Sequence, residues 1–287
     1  MLYQFLRFPE GKTKAVTLSY DDGNLSDLKL TEIMGKYGIK CTFNLLGSLV
    51  ENESRLTVEQ IKKDILGNGH EVANHGYDHR SQLKIRPIEG IRELLDCRLI
   101  LEKALGTIIK GFAYPDTSIK SITDPDLYKR IKSILSEVDI AYARCDGEDN
   151  NKFLLPDDFH RWMPTAHHDN PDIMQYIDEF VNMDVSQFYW ANKMPRLFYL
   201  WGHSSEFDNN DNWDHFEAIC QKLSGRDDVW YATNIEIHDY VKAYESLSYS
   251  ADGTMIYNPT LYTIWFDVDG RLYSIKPGET IRLWVLG

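Results

Sequence analysis

Two adjacent carboxylates, Asp21 and Asp22, follow a short apolar segment near the start of the chain and precede Gly23. Neighbouring side chains diverge and like charges repel, so the two groups suit different tasks. One can bind a cation while the other accepts a proton, which is the chemistry of metal-assisted hydrolysis. A solvated Asp-Asp-Gly turn is the alternative, because Asp and Gly are common turn residues.

A second group of candidate ligands consists of His75 and His79, four residues apart. On a helical turn, this spacing makes both imidazoles face the same way, so that they can bind one metal ion. With one aspartate they predict three protein ligands and open positions for water, which is typical of catalytic zinc. Zn²⁺ suits these ligands, and Co²⁺, Ni²⁺ or Mn²⁺ would also bind. Two surface histidines are the alternative, and His70 is expected to be structural.

A further histidine, His203, follows the apolar run at 197–202. Histidine titrates near neutrality, so His203 could protonate a leaving group opposite the base. Glu206 and Asp208 are near enough in sequence to orient it. A structural histidine is again the alternative.

The elements that must position these residues are short apolar runs alternating with longer segments of helical period, which predicts an α/β protein with a mostly parallel sheet. Seven strands within about 240 residues favour a closed or nearly closed barrel over an open sheet. In such a barrel, functional residues follow the carboxyl ends of strands. The predicted strands are 15–19, 41–45, 71–74, 109–114, 140–144, 196–201 and 229–232.

Helix signals and turn signals complete the expected organisation. Thr57 and Gln60 predict a capping box, and Pro87 predicts the first position of a long helix. Asp252-Gly253 and Asp269-Gly270 each lie between alternating runs, which predicts two β-hairpins. We therefore expect a barrel over residues 1–245 and a small β appendage over 246–287. Its apolar residues, including Trp265, Phe266 and Trp284, are expected to pack on the barrel.

Composition excludes several classes of protein. The 287 residues carry a formal net charge of −13 and are 43% hydrophobic, which is typical of a globular chain and not of a disordered one. Neither nucleic acid nor an anionic membrane is expected as a partner, because Lys and Arg form no cluster. The four cysteines are widely spaced and are expected to be reduced and buried. No signal peptide or long apolar segment is visible, so we expect a cytoplasmic protein; the oligomeric state is not predicted.

These segments together resemble the polysaccharide deacetylases, carbohydrate esterases with the NodB-type fold. The resemblance rests on residues 21–23, 38–44, 69–79 and the strand before His203, and it covers about residues 12–245. It implies a distorted (β/α)7–8 barrel and one divalent metal ion, usually zinc. The implied reaction removes an acetyl group from an acetylated carbohydrate. By position, the resemblance implies Asp21 as the general base, Asp22, His75 and His79 as metal ligands, and His203 as the general acid.

One departure from the family concerns an arginine. The family's third motif has an Arg two residues before a Pro, where it pairs with the catalytic base; here Ala113 stands at that position, before Tyr114-Pro115. Arg144 or Arg161 could replace the missing guanidinium. Backbone N–H groups near Tyr114 are expected to help hold the oxyanion. Substrate contacts are expected from Tyr114, Pro115, Arg144 and Arg161.

A second departure concerns the motif that usually brings an Asp and a Trp to the substrate groove. Residues 160–168 stand in its place. Trp162 could stack on a sugar ring or pack inside the protein, and His167 or His168 could contact substrate. Two other functions therefore stay open: a metal-dependent amidohydrolase acting on a small non-sugar amide, and a catalytically decayed carbohydrate-binding protein.

Overall fold

The computed structural model describes residues 3–50, 52–116 and 124–283. After a peripheral strand β1 (Gln4–Arg7), eight strands form the central sheet, and helices connect most of them. The strands are β2 (Lys14–Asp21), β3 (Cys41–Leu45), β4 (Glu71–Asn74), β5 (Gly111–Ala113), β6 (Tyr142–Arg144), β7 (Ala166–His167), β8 (Arg196–Gly202) and β9 (Val229–Tyr231). The helices are α1 (Asp27–Tyr37), α2 (Val58–Gln60), α3 (Pro87–Leu105), α4 (Pro125–Glu137), α5 (Ile173–Asn182), α6 (Ser204–Asn209), α7 (Trp213–Leu223) and α8 (Asn234–Glu245).

The central sheet is parallel and curls into a distorted (β/α) barrel, as the sequence predicts. Its order is β6-β5-β4-β3-β2-β8-β7, and β9 pairs with the beginning of β2. Trp162 forms a parallel bridge with Arg144, and four residues later β7 begins to pair with β8. The segment 162–167 therefore links the two ends of the sheet. All seven predicted strands are present, whereas the two-residue strand β7 is too short for its periodicity to be recognised.

Strand β2 lies in the middle of the barrel and is buried along its whole length. A strand of a parallel sheet is covered on both faces, so even the polar side chains of Lys14, Thr17 and Ser19 are buried. The predicted capping box is confirmed, because Gln60 N–H donates to Thr57 Oγ1 and Thr57 N–H donates to Gln60 Oε1. Pro87 opens α3 as expected. The four cysteines are free and buried, which also agrees with the prediction.

Both predicted hairpins are present in the C-terminal segment. Strand β10 (Ser248–Tyr249) pairs with β11 (Met255–Tyr257), β12 (Ile264–Val268) pairs with β13 (Arg271–Ile275), and β14 (Thr280–Arg282) pairs with β11. Strand β1 adds to β12, so the beginning of the chain contributes to the appendage sheet.

The appendage packs on the barrel through a shared apolar cluster. Phe266 is fully buried in the same cluster as Phe8 and Tyr240, which is on α8. Trp284 lies outside the described residues, and the division at 245/246 stays a prediction. In the part of the chain that the structure describes, no helix has the length and apolar character needed to cross a bilayer.

Candidate metal centre and catalytic residues

The predicted functional residues meet at the carboxyl ends of the barrel strands. Asp21 is the last residue of β2, His75 follows β4, and His203 follows β8. Asp22 has a left-handed backbone (φ 80°), and its N–H donates to Asn44 O at 2.9 Å. This turn makes the Asp22 side chain leave the strand in a different direction from that of Asp21, which is the divergence expected from the sequence.

Asp22, His75 and His79 form a group that can hold a metal ion. His75 Nε2 lies 3.7 Å from Asp22 Oδ1, and His79 Nε2 lies 4.0 Å from the same oxygen. His75 Nδ1 is 3.0 Å from Ala113 O, so the proton belongs on Nδ1 and the Nε2 lone pair faces Asp22. His75 Nε2 and Asp22 Oδ1 are buried and lack a hydrogen-bond partner among the described residues. This donor set fits a divalent metal ion.

The His75 imidazole is also held in the form that binds metals. Burial lowers its pKa, and this effect outweighs the opposing charges of Asp21 and Asp22. A neutral imidazole is the species that ligates a metal. Burial therefore keeps the His75 imidazole neutral, and the hydrogen bond to the Ala113 carbonyl leaves Nε2 free to bind a metal.

The loop between the two histidines is not the helical turn expected from their spacing. Gly76 and His79 both have positive φ values, 88° and 59°. The Gly76 N–H donates to Asn74 Oδ1, and a Cβ at Gly76 would lie 3.1 Å from Glu93 Oε2. The two imidazoles share one side because a left-handed loop returns His79 towards Asp22, which a helical wheel does not describe.

Asp21 is buried and has a partner for each carboxylate oxygen. Asn44 Nδ2 donates to Oδ1 at 2.8 Å, and Arg144 Nη2 donates to Oδ2 at 2.5 Å. His75 Nε2 and His203 Nε2 lie 3.8 and 4.0 Å from Oδ2. Burial alone would raise the pKa of Asp21, but Arg144, the two histidines and the Asn44 hydrogen bond together hold it below its ordinary value. Asp21 is therefore an ionised, buried carboxylate beside the metal-ligand group.

Arg144 supplies the guanidinium that is missing at Ala113. It is 1% exposed, and its guanidinium packs over the ring of Trp201 at 4.4 Å. Arg161, the other candidate, lies over the ring of Tyr128, 5.7 Å from its centroid. Of the two arginines, Arg144 is the one that the structure brings to Asp21.

His203 approaches Asp21 through Nε2 and is oriented by Glu206. Its Nδ1 is 3.4 Å from Glu206 Oε1, and its backbone N–H donates to Glu206 Oε2 at 3.1 Å. Burial lowers the pKa of His203, but the Glu206 hydrogen bond and the charges of Asp21 and Glu206 raise it overall. Asp208, the other proposed partner, instead accepts from Ser26 and Trp213.

Tyr114 cannot play the expected part in binding an oxyanion or substrate, and Pro115 has a supporting position instead. Tyr114 is 2% exposed, its hydroxyl donates to His160 O, and its N–H donates to Arg144 O at 3.0 Å. Neither group is available to an oxyanion or a substrate. Pro115 is also buried and lies beside Gly76, so it supports the His75 loop.

Trp162 is buried and is replaced at the site by a tryptophan that the sequence analysis missed. Trp162 is 1% exposed and packs edge-on against Tyr142 and Tyr199, which supports the packing alternative. Trp201 is half-buried, two residues before His203 on β8, and contacts the His167 ring. The period of two along a strand could have identified it, because positions 201 and 203 share a face.

His167 and His168 differ in their access to solvent. His167 is half-buried, and its ring centroid lies 6.5 Å from that of His203, so it borders the site. His168 is fully buried, which excludes direct contact with substrate. The expectation for His70 is met, since its Nδ1 accepts from Cys41 N–H and the residue is buried.

Comparison with known proteins supports the resemblance seen in the sequence. Residues 9–131 match the family model "Polysaccharide deacetylase", a segment that contains Asp21, Asp22, His75 and His79. The uncharacterized protein YlxY of Bacillus subtilis (strain 168) is 29% identical over 132 residues, which are 46% of this chain and 40% of that protein. The match thus spans well under half of that relative.

Two solved structures share the fold. One, described as a polysaccharide deacetylase from Mycobacterium smegmatis, has a TM-score of 0.58 at 18% identity and covers 84% of this chain and 94% of its own. The other is the Xyl-CE4 domain of a multidomain xylanase from the hindgut metagenome of Trinervitermes trinervoides. Its TM-score is 0.52 at 15% identity, and the match covers 81% of this chain and 92% of that domain. These two likenesses confirm the predicted barrel fold.

Proposed function

We propose that this protein is a metal-dependent hydrolase that removes an N-acetyl or O-acetyl group from a carbohydrate. One observation carries the proposal: a single buried carboxylate, Asp21, lies within 4.0 Å of both His75 and His203. The matched family supports a carbohydrate substrate and, for an N-acetyl group, cleavage of a carbon–nitrogen bond that is not a peptide bond.

Asp22, His75 and His79 would hold one divalent ion, and Zn²⁺ suits these ligands best. When bound, such an ion would polarise the acetyl carbonyl and lower the pKa of water. Co²⁺, Ni²⁺ or Mn²⁺ also suits imidazole and carboxylate ligands. The preference for zinc is part of the proposal and rests on the ligand types alone.

Asp21 then acts as the general base. Arg144 keeps its carboxylate ionised, so that it can take a proton from the water that attacks the acetyl carbon. The carbonyl becomes a tetrahedral oxyanion, and the bond to the sugar nitrogen breaks when that nitrogen receives a proton. His203 Nε2 would give this proton, because Glu206 occupies its Nδ1 and leaves Nε2 on the side of Asp21. The products are acetate and the free amine.

The test is acetate release from acetylated amino sugars of increasing chain length by protein stripped with a chelator and reloaded with Zn²⁺. Asp21→Asn is expected to keep the metal but to lose at least about 100-fold in turnover, because it cannot accept the proton. His75→Ala is expected to lose the metal. Near wild-type turnover of fully loaded Asp21→Asn would show that the base is assigned wrongly.

A non-sugar amide is the second candidate, and one observation favours it. Trp162, the expected sugar platform, is buried and cannot stack on a substrate, and Trp201, which replaces it at the site, already packs against Arg144 and His167. Zinc-dependent release from a small acetylated amine, with none from any acetylated sugar, would favour this candidate. Sugar binding without zinc-dependent release would instead identify a carbohydrate-binding protein that has lost catalysis.

A further inference from the structure

A second group of imidazoles and carboxylates lies beyond His203, where the chain leaves β7. It consists of His167, His168, Asp169 and Glu206. His168 Nε2 is 3.3 Å from Glu206 Oε2 and 3.4 Å from Asp169 Oδ1. Neighbouring ligands of a tetrahedral zinc ion are also about 3.3 Å apart, because its bonds to nitrogen and oxygen are about 2.0 to 2.1 Å.

His168 is held with an unpartnered nitrogen, Nε2, within 3.4 Å of both carboxylates. It is fully buried, and its ring stacks on Phe207, with the ring centroids 4.2 Å apart, and lies parallel to the ring of Tyr20 at 5.7 Å. Gly202 allows this position, since a Cβ there would lie 2.0 Å from His168 Nδ1. Within the described ranges, neither ring nitrogen of His168 has a hydrogen-bond partner. A buried polar atom of this kind is costly unless a ligand satisfies it.

The protonation states around the cluster also suit a cation. Burial lowers the pKa of His168 to about 3, so its imidazole is neutral. The Asp169 N–H donates to His167 Nδ1 at 3.2 Å, so a neutral His167 carries its proton on Nε2. That nitrogen is 3.2 Å from Glu206 Oε2, and His167 therefore holds the carboxylate in place. Two carboxylates and one neutral imidazole offset the charge of a divalent ion.

We propose that His168 Nε2, Asp169 Oδ1 and Glu206 Oε2 form a second divalent-cation site, separate from the group of Asp22, His75 and His79. The ligand types select Zn²⁺ or a similar transition metal. Glu206 Oε1 faces His203 Nδ1, and Oε2 accepts from the His203 backbone N–H while it also faces the cluster. The new site is therefore one carboxylate away from the proposed general acid.

The experiment measures bound Zn²⁺ by equilibrium dialysis and elemental analysis, without substrate. Wild-type protein is expected to bind two equivalents, and the double variant His75→Ala/His79→Ala one. In that double variant, Asp169→Asn or Glu206→Gln should weaken the remaining zinc at least tenfold, because each removes an anionic ligand. Asp172→Asn, an exposed carboxylate on the same loop, is the matched control and should leave it unchanged.

X-ray absorption at the zinc edge gives an independent reading of the double variant, in which one imidazole and oxygen ligands are expected. The proposal is overturned when the folded double variant binds no zinc, or when its remaining zinc is insensitive to both Asp169→Asn and Glu206→Gln. These outcomes are separate from the proposed function, because a protein that releases no acetate can still bind zinc at this site.

Discussion

Arg144 Nη2 donates a 2.5 Å hydrogen bond to Asp21 Oδ2, although the two residues are 123 positions apart. The register of the sheet explains why this arginine can stand in for the one missing at Ala113. Ala113 on β5 and Arg144 on β6 are direct Cα partners in a parallel pair, so their side chains leave the same face at the same level. The guanidinium has thus moved by one strand while it still reaches the carboxylate of Asp21.

Arg144→Ala is expected to lower zinc-dependent acetate release at least about 100-fold, because an unpaired buried Asp21 becomes protonated and loses its function as base. Loss of one partner of a buried ion pair also costs about 3 to 5 kcal/mol of folding stability. Adding Ala113→Arg to this variant should restore part of the acetate release and part of the stability, since it returns a guanidinium from the neighbouring strand. Arg161→Ala is the control. A folded double variant as inactive as Arg144→Ala would contradict the equivalence of the two positions.

Glu206→Gln is expected to shift the alkaline limb of the plot of kcat against pH to lower pH. A general acid works only while it is protonated, so activity falls as pH rises through the pKa of His203. Glu206 helps to raise that pKa above its ordinary value, and the amide removes this contribution. Asp208→Asn, which leaves the His203 contacts in place, should keep the limb where it is. An unshifted limb in Glu206→Gln would show that another group sets it.

Glu71→Gln is expected to stabilise the protein at pH 8 relative to wild type, and much less at pH 5. Burial raises the pKa of Glu71 from 4.5 to about 7, despite hydrogen bonds from Tyr142, Ile235 and Thr42. A carboxyl whose pKa is raised on folding stabilises the protein below pH 4.5, and this contribution is lost as pH rises through about 7.

The free energy of unfolding that is lost when Glu71 ionises is on the order of 3 kcal/mol, at 1.36 kcal/mol for each pKa unit. Urea unfolding at the two pH values measures it, with exposed Glu137→Gln as the control. An equal effect of Glu71→Gln at both pH values would be inconsistent with the raised pKa.

Gly202→Ala and Gly35→Ala are expected to change stability in opposite directions. A Cβ at Gly202 would collide with the buried His168 ring, and such overpacking costs about 1 to 3 kcal/mol. Gly35 lies inside α1 with no atom within 4 Å of its added Cβ, so alanine should add about 0.5 to 1 kcal/mol. Thermal unfolding of both variants tests this pair, and a neutral Gly202→Ala would mean that His168 can move.

The sequence by itself determined the elements and most of the residues at the site. Apolar runs and turn residues act over a few positions, so they predicted seven strands, the capping box and both hairpins. The rule that functional residues follow parallel strands then brought Asp21, His75 and His203 together. These inferences succeed because secondary structure and strand direction depend on local patterns.

Only the tertiary structure decided how these residues are supported. The pairing of Asp21 with Arg144 depends on register between strands far apart in sequence, and the position of His79 depends on a left-handed loop. Burial of Trp162 follows from barrel closure at Arg144, which leaves Trp201 at the site instead. Such contacts are set by the packing of the whole barrel, and no pattern within one segment of the chain encodes them.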